Sequence, residues 1–253
     1  MMEFKFFWPF ALAFGLCIGS FLNVCIYRIP RGISVAKGSS FCPHCSARLH
    51  APELVPVLSY LFLRGKCRRC KSPISPQYPA IELICGGLFL ASFYNYGISL
   101  QTLVAWIAVS ALITASMIDI HTMEIPDSIS IVLAVAGSLS FFIPGSVWWD
   151  HLLGAAAGAL PLLLLALFSK ERAMGMGDVQ FMAAAGLILG WKLALFALFA
   201  GVIFGALAGV LLIALKKKSR RDHIPFIPML SAGILFSMFF GNSIISWYLS
   251  LLR

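Results

Sequence analysis

The sequence predicts an all-α fold: a polytopic membrane bundle of about eight transmembrane helices, with a small cytoplasmic loop domain inserted after the first helix. Three observations carry this expectation. Hydrophobic residues fill 60% of the 253 positions and charged residues only 11%, with a mean hydropathy of +0.92, whereas a soluble domain carries about a quarter charged residues. Apolar runs of the length that crosses a bilayer, about 20 residues, recur along the chain. The basic residues are also concentrated. Sixteen of the nineteen Lys and Arg fall within 28–71, at Lys170 and Arg172, and within 216–221. Basic loops between apolar runs follow the positive-inside rule and can hold anionic lipid headgroups. The formal charge of +9 therefore argues for a membrane surface and against nucleic acid.

The N-terminal Met1-Met2-Glu3-Phe4-Lys5 has neither a basic region nor an Ala-x-Ala site, which argues against a cleaved signal peptide. Residues 1–27 form the first transmembrane helix, with Phe6 to Ile26 as its apolar run. Its Gly15, Gly19, Ser20 and Asn23 suit close helix approach and hydrogen bonding within lipid. The positive charges follow this helix, which orients the N-terminus outward and the next loop toward the cytoplasm. Tyr27-Arg28-Ile29-Pro30 ends the helix. Residues 28–78 then form a polar segment containing Pro and Cys, the only sizeable water-facing part. Residues 79–253 return to lipid as a bundle, with spans near 80–98, 102–120, 128–145, 152–168, 178–190, 193–215 and 225–251. The break at Gly190-Trp191-Lys192 is needed to keep the basic run 216–221 cytoplasmic, and it leaves Lys192 outside.

Seven cysteines occur, and Cys17, Cys25 and Cys85 lie in or beside apolar spans, where a thiol acts as a small buried hydrophobe. The other four form Cys42-Pro43-His44-Cys45 and Cys67-Arg68-Arg69-Cys70. Paired C-x-x-C motifs at this separation match a zinc ribbon or double knuckle, each pair placing two thiolates on one tight turn. The alternatives are two disulfides or idle thiols, but disulfides do not persist in a reducing cytoplasmic loop. Four cysteines close the coordination sphere, so the expected zinc is structural, with His44 outside it.

Most of the ten acids lie in loops or at helix ends. Glu82, just after Pro79, suits the positive end of a helix dipole. Asp119, Glu124, Asp127 and Asp178 lie near the membrane surface. Asp119 ends the run Ala115-Ser116-Met117-Ile118. Asp178 follows two glycines in Ala173-Met174-Gly175-Met176-Gly177-Asp178-Val179-Gln180. Counting spans places Asp119 and Asp178 in the same leaflet at similar depth, although far apart in sequence. Two carboxylates brought together away from water share a proton, one serving as base and one as acid. Such a pair can activate water against a peptide carbonyl. Gly175 and Gly177 leave room for a substrate backbone. The competing readings are that Asp178 caps the sixth helix, that Asp127 caps the fourth, and that Glu124 is solvated at the surface. His121 is a weak candidate for support.

These residues together resemble a known family. Gly175-x-Gly177-Asp178, with the upstream Asp119-x5-Ile125-Pro126-Asp127, is similar to the type IV prepilin peptidases. These are GxGD-type aspartic proteases of the bacterial inner membrane, related to preflagellin peptidases and more remotely to presenilins. The first half matches too, in Gly19-Ser20-Phe21-Leu22-Asn23-Val24, Pro56-Val57-Leu58-Ser59-Tyr60, Leu63-Arg64-Gly65-Lys66-Cys67 and Tyr78-Pro79-x-x-Glu82.

The resemblance implies cleavage of the basic leader of type IV prepilins and pseudopilins on the cytoplasmic side, with Asp119 and Asp178 as the catalytic pair. It also implies N-methylation of the new amino terminus by S-adenosylmethionine. Methyl transfer in this family is associated with the cysteine loop. That loop holds no nucleotide-binding glycine fingerprint, and Gly65 and Lys66, a flexible basic turn, are the candidates for the cofactor. Cys42, Cys45, Cys67 and Cys70 are the expected metal ligands. Both leader and cytoplasmic face are basic, so charge steering cannot be the main source of recognition, and the substrate helix is expected to dock laterally. Peptidase activity without methyl transfer, a proton- or metal-coupled transporter, and a membrane scaffold are the rival readings. Against transport, no acid marks the bilayer midplane.

Overall fold

The structure, a computed structural model, describes residues 6–170, 174–215 and 224–251. Glu3, Glu171, Arg172, Ala173, Asp222 and the basic run 216–221 lie outside the described residues. Among the described residues the chain is helical, with only isolated bridges in place of strands. The helices are α1 (Trp8–Arg28), α2 (Leu58–Phe62), α3 (Gln77–Tyr96), α4 (Leu100–Thr122), α5 (Asp127–Ser140), α6 (Trp148–Ser169), α7 (Met176–Leu189), α8 (Trp191–Ala214) and α9 (Ile227–Leu251).

Every expected span has a helix at its place. Five helical segments, Trp8–Arg31, Leu100–Thr122, Trp148–Ser169, Trp191–Ala214 and Ile227–Leu251, are long and apolar enough to cross a membrane. Helices α5 and α7 are apolar but have 14 residues each. That gives about 21 Å of helix against a hydrocarbon core of about 30 Å. Where the sequence suggests a span over 128–145, α5 stops at Ser140, because the chain turns through Gly145 at φ +81 with Ser146 N–H donating to Ile143 O at 3.0 Å. The break at Gly190 is present, with a φ of +77 between α7 and α8.

The chain divides into two compact units, Met1–Thr114 and Ala115–Arg253. In the first, α1 packs along α3. Lipid offers no hydrophobic drive for this pairing, so close backbone approach must supply it. The Gly15-x-x-x-Gly19 face provides that approach: a Cβ on Gly15 would stand 2.9 Å from Gly86 Cα, and one on Gly19 would stand 2.7 Å from Glu82 Cα. Phe89 and Trp106 stack at 5.0 Å, and Trp106 Nε1 donates to Phe89 O at 3.0 Å. The indole thus satisfies its polar atom while burying its ring.

In the second unit α7 is central, touching α5, α6, α8 and α9. Its Phe181, Met182 and Ala185 are fully buried. Gly154 and Gly158 of α6 face Gly186 and Met182 of α7, and Gly233 of α9 lies on Ala197 and Gly201 of α8. The outer face of α8 is apolar, with Phe199, Leu207 and Val210 exposed by 64%, 63% and 68%, as expected of side chains that meet lipid.

These crossings leave no space for a side chain. Gly186→Leu is expected to destabilise the protein by about 1–3 kcal/mol or more through overpacking. Gly87→Ala, where a Cβ meets nothing within 4 Å, should be neutral or slightly stabilising through helix propensity. Unfolding in mixed detergent micelles, comparing midpoints, checks both.

Candidate active site and metal centre

The loop between α1 and α3 has almost no apolar core. Among residues 29–76 only Cys42 and Cys67 are buried. Polar anchors fix its ends. Arg28, 5% exposed, donates to the carbonyls of Ser34 (2.9 Å), Lys37 (2.7 Å) and Ser39 (3.1 Å). Asn23 Nδ2 donates to Tyr78 O at 3.2 Å. Glu82, also buried, accepts from Val57 N–H at 2.7 Å. Glu82 sits beyond the first turn of α3, so it anchors the loop and does not serve the helix dipole. Val57 is held at φ +62, a conformation that a β-branched residue rarely adopts.

At the centre of this loop the same turn is built twice. Cys42 N–H donates to Ala47 O (2.9 Å) and Ser46 N–H to Cys42 O (2.8 Å). Cys67 N–H donates to Ser72 O (2.9 Å) and Lys71 N–H to Cys67 O (3.0 Å). Ser46 and Lys71 both take positive φ, 54 and 59, and each turn is flanked by a bridge, Phe41 with Arg48 and Lys66 with Pro73. The four thiol sulfurs lie within 4.8 Å of one another, with Cys42 and Cys70 at 3.8 Å. A tetrahedral zinc with bonds of about 2.3 Å sets its sulfurs about 3.8 Å apart. The Ser72 hydroxyl beside Cys70 brings that thiol down to about 6, whereas Cys45, facing the Cys42 and Cys70 thiols, is pushed up to about 11. The cysteines therefore fit one tetrahedral metal ion, and the exposed His44 is outside the cluster. Gly65, at φ +67, donates to Tyr60 O at 2.9 Å, and Lys66 lies in the second bridge.

In the second unit Asp119 and Asp178 lie within electrostatic reach of each other. Asp119, 6% exposed near the end of α4, accepts Ile227 N–H at 3.0 Å through Oδ2 and also bonds the Phe226 amide. These amides open α9, so a carboxylate from another helix occupies the positive end of its dipole. Asp178 stands in the first turn of α7, where Gly175 N–H donates to its Oδ2 at 3.3 Å. It thus bonds back to the N-cap residue and is not itself the cap. A Cβ on Gly177 would press on Ile125 Cδ1 at 3.1 Å, whereas one on Gly175 would meet little besides Asp178 Oδ2 at 3.9 Å. Gly177 is thus a packing position and Gly175 faces open space. Asp127 opens α5 without a side-chain capping bond, and Glu124 is exposed. The anchoring of Asp119 by α9 was not evident from the motif. The available signal was Pro225-Phe226-Ile227-Pro228, prolines at a helix start.

Two carboxylates with a GxGD turn in one unit, and four clustered thiols in the unit that precedes it in sequence, agree with sequence comparison. The family description "Bacterial Peptidase A24 N-terminal domain" matches residues 13–96, and "Type IV leader peptidase family" matches residues 106–210. The chain belongs to the type IV leader peptidase family. It is 38% identical over 239 residues to a prepilin leader peptidase/N-methyltransferase of Bacillus subtilis (strain 168), covering 94% of this chain and 96% of that protein. Proteins of the same description from Legionella pneumophila and Aeromonas hydrophila are each 34% identical, over 264 and 266 residues, covering 93% and 94% of this chain and 92% of each relative. No solved structure matches.

The Asp119 bond to α9 separates fold from chemistry. Asp119→Asn keeps an acceptor for Ile227 N–H and should melt close to the wild type. Asp119→Leu orphans that amide and should lose about 1–2 kcal/mol, read as a lower melting temperature in detergent.

Proposed function

We propose that this chain cleaves the leader of type IV prepilins and then N-methylates the new amino terminus, as the names of its relatives describe. The observation that carries the peptidase reading is the placement of two amide-held carboxylates in one unit, Asp119 at the start of α9 and Asp178 beside the open Gly175. The carboxylate better supplied with donors holds the charge, which makes Asp119 the base and Asp178 the acid. Asp119 takes a proton from water as the water oxygen attacks the scissile carbonyl carbon. Asp178 gives its proton to the departing nitrogen, and the C–N electrons go to that nitrogen.

Methyl transfer follows cleavage, because its acceptor exists only then. S-adenosylmethionine, when bound, would supply an electrophilic methyl group to the new amine nitrogen. The four cysteines hold structural zinc, which supplies the loop with the core that its side chains lack. The concentration of Lys and Arg in 28–71 and 216–221 supports an inner-membrane protein with its N-terminus outside and its zinc loop and aspartates on the cytoplasmic side. The substrates are prepilins or pseudopilins presented by their own membrane helix.

Asp119→Asn and Asp178→Asn are each expected to slow cleavage of a prepilin in membrane vesicles by at least about 10²–10⁴-fold, the size of a lost general acid or base. Cleavage by either variant at the wild-type rate would remove that residue from the mechanism. Purified protein should carry one zinc per chain, and Cys67→Ser should carry none. Because structural zinc contributes about 10–16 kcal/mol in small zinc domains, the variant loop should become protease-sensitive. Metal analysis and limited proteolysis measure this.

A further inference from the structure

The loop after α1 carries one apolar segment that its own small core does not absorb. In and beside the short helix α2, Val55, Leu58, Leu61 and Phe62 are exposed by 43%, 51%, 63% and 83%. Leu58, Leu61 and Phe62 follow the spacing of one helix face. Ser59, Tyr60 and Leu63, on the other side, are half-buried. Single exposed apolar residues need no explanation, but a contiguous group rimmed by polar residues marks an interaction surface. The rim here has one sign. Arg64, Lys66, Arg68, Arg69 and Lys71 follow α2, all exposed, and no acid lies between Glu53 and Glu82.

Hydrogen bonding fixes the depth of this segment. Val57, the residue before α2, donates to Glu82 Oε2 at 2.7 Å, and the Glu82 backbone packs on Gly19 of α1. Gly19 lies nine positions inside the end of α1 at Arg28, about 13 Å along a helix axis. Side chains lean toward the N-terminus of their helix, which brings the bond nearer the surface by up to about one turn, 5.4 Å. Val57 therefore sits below the level of Arg28, within the length of α1. That helix has 21 residues, about 31 Å, close to the hydrocarbon thickness of about 30 Å. The backbone suits such surroundings. Eight of the ten amides from Val57 to Lys66 donate to carbonyls of the loop or to Glu82, as a segment shielded from water requires.

We infer that α2 is an interfacial anchor in the leaflet that holds the C-terminal end of α1. Its Leu58, Leu61 and Phe62 lie among acyl chains, and Arg64 and Lys66 meet anionic headgroups. An apolar face with a basic flank is the combination that such a membrane surface binds. A protein helix on the same face would cover the apolar side chains but leave the five positive charges without partners. A basic prepilin leader would be repelled by them. The anchor holds the cysteine loop against the membrane, and Lys66 becomes a lipid contact.

The test uses full-length protein in nanodiscs, one set of phosphatidylcholine and one of equal parts phosphatidylcholine and phosphatidylglycerol. A lipid with a diazirine on its acyl chain, activated by light and read by peptide mass spectrometry, should label Leu58, Leu61 and Phe62. It should label Phe199, Leu207 and Val210 of α8 in the same sample. The double variant Leu61→Asn, Phe62→Asn, with zinc content retained, removes two apolar side chains from the acyl region. It should cut the label on the unaltered Leu58 at least about tenfold while sparing α8. Acetylation of Lys66 should slow at least about fivefold with phosphatidylglycerol present, the worth of one basic residue at an anionic surface. Label on 58–62 no greater than on residues 43–48 overturns the anchor. So does label that an added prepilin displaces, which gives this face to a protein helix instead. Equal acetylation of Lys66 in both membranes overturns the anionic contact. Where the double variant loses its zinc, labelling of the unaltered chain decides.

Discussion

The constraint on which the rest depends is that this chain must keep carboxylates out of water, and it does so with backbone amides. Glu82 takes the amide of Val57, Asp119 the first amide of α9, and Asp178 the amide of Gly175. A buried carboxylate without donors loses more free energy than any single packing contact returns. Amides at the start of a helix are well suited to the task, because they have no partner within their own helix and sit at the positive end of its dipole. The same bonds have structural consequences. They fix where α9 begins against α4, how α7 starts, and where the loop after α1 returns to α3. The acids thus organise the backbone around themselves before they do any chemistry.

The two units reach stability by different routes. The second is built of close helix crossings in which glycine meets glycine or backbone, as at Gly154 on Gly186 and Gly233 on Gly201. Dispersion at short range substitutes there for the hydrophobic drive that lipid removes. The first unit carries a loop of nearly fifty residues whose only buried side chains are two cysteines. Conformational entropy of roughly 1–2 kcal/mol per ordered residue cannot be offset by so small a core. Four thiols placed to share one metal ion, with Arg28 gathering three carbonyls at one end, are the features available to offset it. The matched turns around Cys42 and Cys67 fit this account: each presents two sulfurs with the same backbone geometry, as a shared ion requires.

Much of this was legible in the sequence, and what was legible has a common character. Helices show as apolar runs, and the knuckles as C-x-x-C pairs, because local spacing alone dictates both. Counting membrane crossings leads to the expectation that Asp119 and Asp178 meet, since a span fixes depth as well as direction. What escaped depends on partners distant in sequence. Glu82 reads as an acid suited to a helix start, but its partner is Val57, 25 positions earlier. Asp119 reads as a catalytic acid, but its capping of α9 spans 108 positions. Gly65 reads as a flexible turn, and its N–H donates to the carbonyl of Tyr60, where an added Cβ would press on the Tyr60 hydroxyl. The length of α5 was also misjudged, because apolar composition continues past Ser140, where turns end the helix.

The order of the two chemistries follows from the reactants and not from any gate. The amine that accepts a methyl group exists only once the peptide bond is broken, so a chain carrying both sites cannot run them in reverse. Each site can therefore be tuned for its own reaction. The carboxylate pair must admit water and a flexible stretch of backbone, which the open flank at Gly175 allows. Methyl transfer must instead hold a soluble, charged donor in a fixed pose. Rigidity belongs where a methyl carbon has to be aligned with an attacking nitrogen, since misplacement by about 1 Å can cost on the order of a hundredfold in rate. In this chain two cysteine turns and three buried polar anchors make the loop after α1 the most tightly fixed water-facing segment among the described residues.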